Sequence, residues 1–205
     1  MNAAIPSLRP GVHTGRRTLV LLLLLFALPF PLAAGLHLAG WRPAASASHG
    51  ELLQPPSALP ATGLMLADGQ PLPTATLAGR WQLVLAGNGP CDTDCQADLA
   101  SLAQVQRLLP KHQARISRLW LTSTATLKAG FGGDGKATPN PADIDGLLAA
   151  SMDAAWSAQL QLPTTGYRFY LVDPEGRLVL RYAPGADPAG VRQDLERLLK
   201  YSWNG

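Results

Sequence analysis

The chain has 205 residues, of which 47% are hydrophobic and only 15% charged, and its formal net charge is +3. This composition excludes a disordered polyelectrolyte and fits one folded domain with an additional apolar segment. Three of the 17 basic residues precede position 18, which leaves 14 basic and 14 acidic residues from Trp41 onward. Because that part is formally neutral, no nucleic acid partner is expected.

A basic tail, residues 1–17, precedes an apolar run over residues 18–40. The run is long enough to cross a bilayer as a helix, and Pro29 and Pro31 are expected to kink it. The basic residues in front predict a cytoplasmic N-terminus. In a bacterium this gives a single-pass inner-membrane protein whose C-terminal domain lies in the periplasm, where a disulfide can persist.

A cleaved signal peptide is the alternative, with Ala45–Ala47 as a small-residue cleavage site. The apolar run exceeds the typical apolar core of a signal peptide, which favours a retained anchor. Pro, Ala and Ser dominate residues 41–60, which predicts a linker in which His49 is solvated. The folded domain is then expected over residues 61–205.

The first half of this domain predicts a short hairpin around Asp68–Gly69, followed by a buried strand over residues 80–87. Apolar residues then recur at helical spacing as far as Leu109, and Pro110 ends that helix. Another strand is predicted over residues 116–123. These elements alternate in the manner of an α/β protein.

The second half predicts a helix over residues 141–160, because Leu147, Leu148, Met152 and Trp156 share one side. Two apolar runs around Asp173–Gly176 predict a hairpin, and Asp187 with Pro188 predicts the start of a closing helix. The complete order predicts a mixed sheet with helices on both faces.

Cys91 and Cys95 are the only cysteines, and they stand where a strand gives way to a helix. Residues four apart on a helix share a face at about 6 Å between Cα atoms, so the pair can form a disulfide or bind one soft metal ion. The helix N-terminus lowers thiol pKa values, whereas nearby aspartates oppose this: Asp92, Asp94 and Asp98. Redox, metal-binding and plain crosslinking roles stay open.

Position on the helix separates the expected roles of the two sulfurs. Cys91 is nearer the helix N-terminus and is expected to be the more exposed, attacking sulfur. Cys95, one turn inside, is expected to be the resolving one.

Three motifs resemble the Sco/SenC family of cytochrome oxidase assembly proteins, across residues 64–199. They are the entry "DGQPL…LAGRWQLVL", the Cys-x-x-x-Cys spacing, and the hairpin "YLVDPEGRLVLRY". The resemblance implies a thioredoxin-like fold, an α/β mixed sheet flanked by helices with an added N-terminal β-hairpin, here preceded by one transmembrane helix.

The resemblance also implies copper binding through both cysteines and a histidine five residues before the hairpin tyrosine. That tyrosine is Tyr170, so the histidine position is Thr165 and the aspartate before it is Thr164. Because no histidine follows His112, the third ligand is not carried over, and copper would depend on Cys91 and Cys95 alone. Pro163 is the candidate for the cis-proline that faces the cysteine pair in thioredoxins.

Three functions remain open from the sequence. The first is a membrane-anchored thiol–disulfide oxidoreductase for oxidase biogenesis, acting on respiratory oxidase subunits or other redox partner proteins. The second is a Cu(I) chaperone that uses the two cysteines. The third is a non-catalytic assembly scaffold that keeps a relic disulfide.

Overall fold

The computed structural model describes residues 12–39, 48–130 and 145–202. The chain divides into two compact units, Met1–Ala45 and Ser46–Gly205. The first unit holds two consecutive helices, which are α1 (Val12–Ala27) and α2 (Pro29–Leu38).

The two helices of the first unit continue one another across Leu28. The Leu28 N–H donates to the Leu24 carbonyl at 2.9 Å, and the Leu32 N–H donates to the Leu28 carbonyl at 3.4 Å. Within the segment Gly15–Leu36, an 18-residue window has a mean hydropathy of 2.5, and none of that window is buried. Its 22 residues are long and apolar enough to cross a membrane.

The described part of the second unit forms one sheet of seven strands in the order β1-β7-β6-β3-β4-β5-β2. The central strands β3, β4 and β5 are parallel, and the other strands pair antiparallel. The strands are β1 (Glu51–Ala58), β2 (Leu64–Leu66), β3 (Trp81–Asn88), β4 (Ile116–Thr122), β5 (Leu147–Met152), β6 (Gly166–Val172) and β7 (Arg177–Arg181).

Side chains of β3 alternate between two hydrophobic cores, one on each face of the sheet. Leu83 and Leu85 belong to the core shared with α3 (Thr93–Arg107) and α6 (Pro188–Tyr201), which also contains the cysteine pair. Their neighbours Val84 and Ala86 pack with α5 (Ala154–Leu160) on the other face. This confirms the predicted mixed sheet flanked by helices.

The predicted hairpin near the C-terminus is confirmed as β6 and β7. The Asp173 carboxylate fixes its turn by accepting hydrogen bonds from the Glu175 and Arg177 N–H groups at 3.0 and 2.8 Å. The closing helix also begins as predicted, with Asp187 as N-cap and Pro188 as its first residue. Near Asp68–Gly69, the expected hairpin is limited to β2 and a bridge between Met65 and Pro71.

The linker expected over residues 41–60 is wrong for residues 51–58, which form β1. This edge strand pairs with β7, where Glu51 faces Arg181 and their side chains form a salt bridge at 2.7 Å. The pairing is irregular between Leu52 and Ser57, where the two prolines fall. Proline is tolerated there because an edge strand does not need every N–H group for pairing.

The helix expected over residues 141–160 is also wrong in its described part. Residues 147–152 form β5, parallel to β4, and only Ala154–Leu160 is helical. Gly146, just before β5, has a φ of +69°. Asp153 is the N-cap of α5, and its side chain accepts a hydrogen bond from the Trp156 N–H at 3.0 Å. The helical spacing of the apolar residues was therefore coincidental.

Candidate functional site at the Cys91–Cys95 pair

Cys91 and Cys95 are joined in a disulfide, with 5.1 Å between their Cα atoms. They lie at the carboxyl end of β3, where the chain turns into α3. The structure thus brings together the two residues that the sequence singled out, at close to the separation expected for helical neighbours.

The helix begins later than the cysteine spacing alone would place it. Asp92 is the N-cap residue, and its carboxylate accepts a hydrogen bond from the Cys95 N–H at 3.0 Å. Cys91 therefore precedes the helix, whereas Cys95 lies in its first turn with its N–H group already occupied.

Both sulfur-bearing residues are buried in this oxidised state. Cys91 is 1% exposed and Cys95 is 2% exposed. The expectation that Cys91 would be the more exposed sulfur is therefore wrong for the disulfide form. Because exchange requires an attacking thiolate to reach one sulfur along the S–S bond, the structure around the pair must open before the bond can react.

The loop between β3 and α3, residues 89–92, is held at the carbonyl of Gly89, which has a φ of +98°. This carbonyl accepts hydrogen bonds from the Tyr167 hydroxyl at 2.9 Å and from the Thr126 hydroxyl at 3.0 Å. Since the Tyr167 proton is used there, the Thr122 hydroxyl donates to the Tyr167 oxygen at 2.8 Å. We name this arrangement the Gly89 clamp: the Gly89 carbonyl with the hydroxyls of Tyr167, Thr126 and Thr122.

The start of β6 closes the other side of the loop. A side chain at Gly87 would overlap the Gly166 carbonyl, so only glycine allows the two strands to approach this closely. Asn88 pairs with Gly166 in the sheet, and its amide donates to the Pro163 carbonyl at 3.4 Å. Thr165, adjacent to Gly166, therefore lies close to the cysteine loop.

The peptide bond before Pro163 is trans, since Gln54–Pro55 is the cis peptide bond within the described ranges. Pro163 thus lies beside the loop but lacks the conformation that the resemblance suggested. Thr164 and Thr165 are both exposed.

Burial and nearby charges shift the pKa values of two groups around the cysteine pair, Asp98 and Tyr167. Partial burial, assisted by the negative charges of Asp94 and Asp92, raises the pKa of Asp98 to about 6. Burial also raises the pKa of Tyr167, although the hydrogen bond from Thr122 opposes this shift. Tyr167 therefore keeps its proton at neutral pH and remains a donor in the Gly89 clamp.

Asp98→Asn is expected to stabilise the protein at neutral pH but not in acid. A carboxyl whose pKa is raised on folding binds its proton more tightly in the folded state, so its contribution to stability falls as pH rises from about 4 to 6. Because water still screens part of this group, we expect a gain of about 1 kcal/mol at pH ~7 and almost none at pH ~4. Urea unfolding at both pH values measures this difference, and an equal gain at both would contradict it.

No group of three or more His, Cys, Asp and Glu residues suited to a metal ion occurs in residues 12–39, 48–130 and 145–202. His112 lies in a 3-10 helix, Pro110–Arg115, which precedes β4 and so lies at the opposite end of the sheet from the disulfide. His49 contacts Asp194 of α6, with Nδ1 3.2 Å from the carboxylate. Neither histidine completes a copper site with the two cysteines.

The Gly89 clamp was not predicted from the sequence. A signal was present in "LTST", residues 121–124, where polar hydroxyls follow a buried strand. Since β3 and β4 are parallel, their carboxyl ends share one edge of the sheet, which places these hydroxyls beside the cysteine loop. The short helix α4 (Thr124–Ala129), which carries Thr126, was not predicted either.

Solved structures of Sco proteins share this fold, which confirms the fold that the resemblance implied. Yeast Sco1 with copper bound is 18% identical with a TM-score of 0.53, over 72% of this chain and 91% of that chain. Apo Sco1 from Thermus thermophilus is 20% identical with a TM-score of 0.54, over 76% and 99%. BsSco, a Sco-family cytochrome c oxidase assembly protein with a disulfide switch, is 14% identical with a TM-score of 0.51, over 75% and 98%.

A comparison with curated proteins finds no match. A family match, in contrast, covers residues 81–202, from the first residue of β3 to just beyond α6. This is 122 of the 205 residues, and it includes both cysteines and every member of the Gly89 clamp. The chain therefore belongs to the family described as transmembrane-like, thioredoxin-like, C-terminal domain.

Proposed function

We propose that this protein is a membrane-anchored thiol–disulfide protein that assists biogenesis of the copper site of cytochrome oxidase. The observation that carries the proposal is the Cys91–Cys95 disulfide at the strand-to-helix turn of a thioredoxin-like fold. The shared fold with Sco proteins, one of them named for a disulfide switch, supports the choice of pathway.

The apolar helix Gly15–Leu36 is the proposed anchor, with the N-terminus in the bacterial cytoplasm and the disulfide domain in the periplasm. An oxidising compartment is consistent with a cysteine pair that is closed as a disulfide. A C-terminal fusion to a reporter that requires oxidation should be active if the domain lies in the periplasm, and a stably produced but inactive fusion would contradict this orientation.

The proposed chemistry is a two-electron exchange. In the reduced protein, the Cys91 thiolate attacks a disulfide between two copper-ligand cysteines of an oxidase subunit. This forms a mixed disulfide and releases one partner thiolate, which takes up a proton. Cys95 then loses its proton and attacks the Cys91 sulfur. The partner leaves with two thiols, Cys91–Cys95 is closed again, and an external dithiol must reduce it for the next cycle.

Tyr167→Phe tests whether the Gly89 clamp controls access to the disulfide. Loss of the hydroxyl removes the bond to Gly89, a change of about 1 kcal/mol, so a dithiol should reduce Cys91–Cys95 about fivefold faster. The reduction rate is measured under native conditions by quenching samples at successive times, labelling their free thiols and counting the labels by mass spectrometry.

Tyr170→Phe is the matched control. Tyr170 is also buried, lies on the other face of the sheet, and its hydroxyl has no hydrogen-bond partner in the described structure. Its removal should leave the rate unchanged. Equal rates in all three proteins would contradict the role of the clamp, and a wild-type disulfide that resists reduction until unfolding would contradict the thiol–disulfide function itself.

Direct copper delivery is the second candidate, and it is favoured by the copper bound to yeast Sco1, a protein of the same fold. Two thiolates can hold soft Cu(I), but the imidazole that Cu(II) prefers is not supplied beside Cys91 and Cys95 by the described residues. We therefore treat copper as cargo that only the reduced pair could accept.

The reduced protein is expected to bind at most one Cu(I) and to bind Cu(II) only weakly. Titration of the reduced chain with each ion, followed by ultraviolet absorption and electron paramagnetic resonance, measures both affinities. A stable Cu(II) complex with imidazole nitrogen in its spectrum would contradict this prediction, and His49→Ala would then show whether that residue supplies the ligand.

A further inference from the structure

A basic groove lies at the opposite end of the sheet from the disulfide. It has a volume of about 720 Å³ and is formed where the 3-10 helix Pro110–Arg115 meets the last turns of α6. Lys111, Arg115 and Lys200 line it, against one acidic residue, Glu196. We name these residues, with His112, the basic groove.

Positive charge dominates the basic groove. Glu196 is already paired with Arg192 at 3.0 Å, so its negative charge is partly compensated on the helix itself. Lys111 and Lys200 are exposed, and neither has a carboxylate within salt-bridge distance in the described parts of the chain. Both ammonium groups therefore remain available to an anionic surface.

Arg115 binds the two elements of the groove to each other. Its guanidinium donates to the Leu199 carbonyl at 3.2 Å and to the Ser202 carbonyl at 2.9 Å, at the end of α6. These bonds also compensate carbonyl groups that a helix end leaves unpaired. The lysines are thus presented on a preformed surface.

Two exposed apolar side chains accompany the basic groove. Leu108 is the C-cap residue of α3 and is 56% exposed, and Tyr201 ends α6 and is 71% exposed. They are the most exposed large hydrophobic residues in the described part of the second unit. The Lys200 ammonium lies 5.6 Å from the centre of the Tyr201 ring, so charge and aromatic surface are combined at one place.

We propose that the basic groove, with Leu108 and Tyr201, rests on the anionic phospholipid headgroups of the membrane. Basic residues together with an aromatic and an aliphatic side chain are typical of surfaces that bind a bilayer interface. The charge of the groove is complementary to anionic lipid.

This inference depends on the membrane anchor in the proposed function but not on its redox chemistry. Since the groove and the disulfide lie at opposite ends of the sheet, lipid contact through the groove leaves the cysteine pair facing the aqueous compartment. There it can meet the soluble part of a partner.

Hydrogen exchange of the full chain in nanodiscs tests the proposal. One set of discs contains phosphatidylcholine only, and the other also contains phosphatidylglycerol. We expect exchange in residues 108–115 and 196–202 to be about fivefold slower or more in the anionic discs at low salt. The difference should disappear near ~1 M salt, where the Debye length is about 3 Å.

Charge-reversal variants give the matched comparison. Lys111→Glu with Lys200→Glu should abolish the lipid-dependent protection. Lys128→Glu, the same change on the exposed end of α4 near the disulfide, should retain it. Equal exchange of the wild type in both discs would overturn the proposal, as would protection that requires an added oxidase subunit rather than anionic lipid.

Membrane anchoring is tested separately, by asking whether the chain co-purifies with the nanodiscs. If it does not, the anchoring part of the proposed function is contradicted. Sedimentation with liposomes of the same two compositions then tests lipid binding by the groove without the anchor. No preference for the anionic liposomes would overturn the proposal.

Discussion

Asp194→Ala is expected to lower the free energy of unfolding by about 3–5 kcal/mol, because a buried carboxylate with several donors would be removed. Asp194 is 2% exposed. Its carboxylate accepts hydrogen bonds from the His49 N–H at 2.7 Å, the Gly50 N–H at 3.1 Å and the Tyr182 hydroxyl at 3.1 Å. The truncation leaves all three donors without this acceptor inside the protein.

The same contacts explain why the effect should extend beyond α6. His49 and Gly50 immediately precede β1, so Asp194 holds the edge strand to the helix. Burial, with the nearby Asp194 charge, raises the pKa of Tyr182, so its phenol keeps its proton and stays a donor. Loss of Asp194 should therefore also speed hydrogen exchange in β1.

Urea unfolding of wild type and variant measures this prediction. Asp68→Ala is the control, since Asp68 is an exposed turn residue whose carboxylate accepts only from the Gln70 N–H within the described structure. Its cost should stay below about 1 kcal/mol. A similarly small cost for Asp194→Ala would show that the segment before β1 is not held by this residue.

Replacement of both cysteines by serine is expected to abolish the contribution of this protein to oxidase maturation while leaving it folded. The exchange needs both sulfurs, and serine cannot form the mixed disulfide. The stability cost should be modest, about 2 kcal/mol, because the disulfide closes a loop of only a few residues.

Complementation of a deletion strain measures this effect through oxidase activity and copper content. Thermal unfolding of the purified variant shows that it is folded, and Tyr170→Phe serves as a core substitution that should complement fully. If the double serine variant complements as well as wild type, the disulfide is a relic and the scaffold function is supported instead.

The fold could be predicted because its signals are local. Each strand of the β6–β7 hairpin is an apolar run, and Asp173 and Gly176 mark the turn between them. The residues of β5 were wrongly predicted as helical because a buried parallel strand has no alternating pattern. Its leucines matched a helical spacing by coincidence.

The candidate site was predictable only where its residues are close in sequence. Cys91 and Cys95 are four apart, so their contact follows from helical geometry alone. The Gly89 clamp joins residues from three elements, with Tyr167 78 positions from Gly89. Asp194 lies 145 positions from His49, and no local sequence pattern predicts their contact.

The burial of Cys91 was missed for a related reason. A helix N-terminus predicts access to solvent and stabilisation of an anion, and both arguments concern a single helix. Tertiary contacts from β4, α4 and β6 fix the loop that carries Cys91. The pair can therefore begin at a helix start and still be enclosed when oxidised.

The central claim, that Cys91 and Cys95 exchange disulfides with a partner, is tested most directly by trapping the mixed disulfide in cells. Cys95→Ser removes the resolving sulfur, so adducts through Cys91 should accumulate and be identified by mass spectrometry after non-reducing electrophoresis. Cys91→Ser, the matched variant, should trap none, because Cys95 lies inside the first turn of α3. Adducts with Cys95→Ser alone are the predicted result, and the absence of adducts with either variant, both folded and inserted in the membrane, would contradict the account.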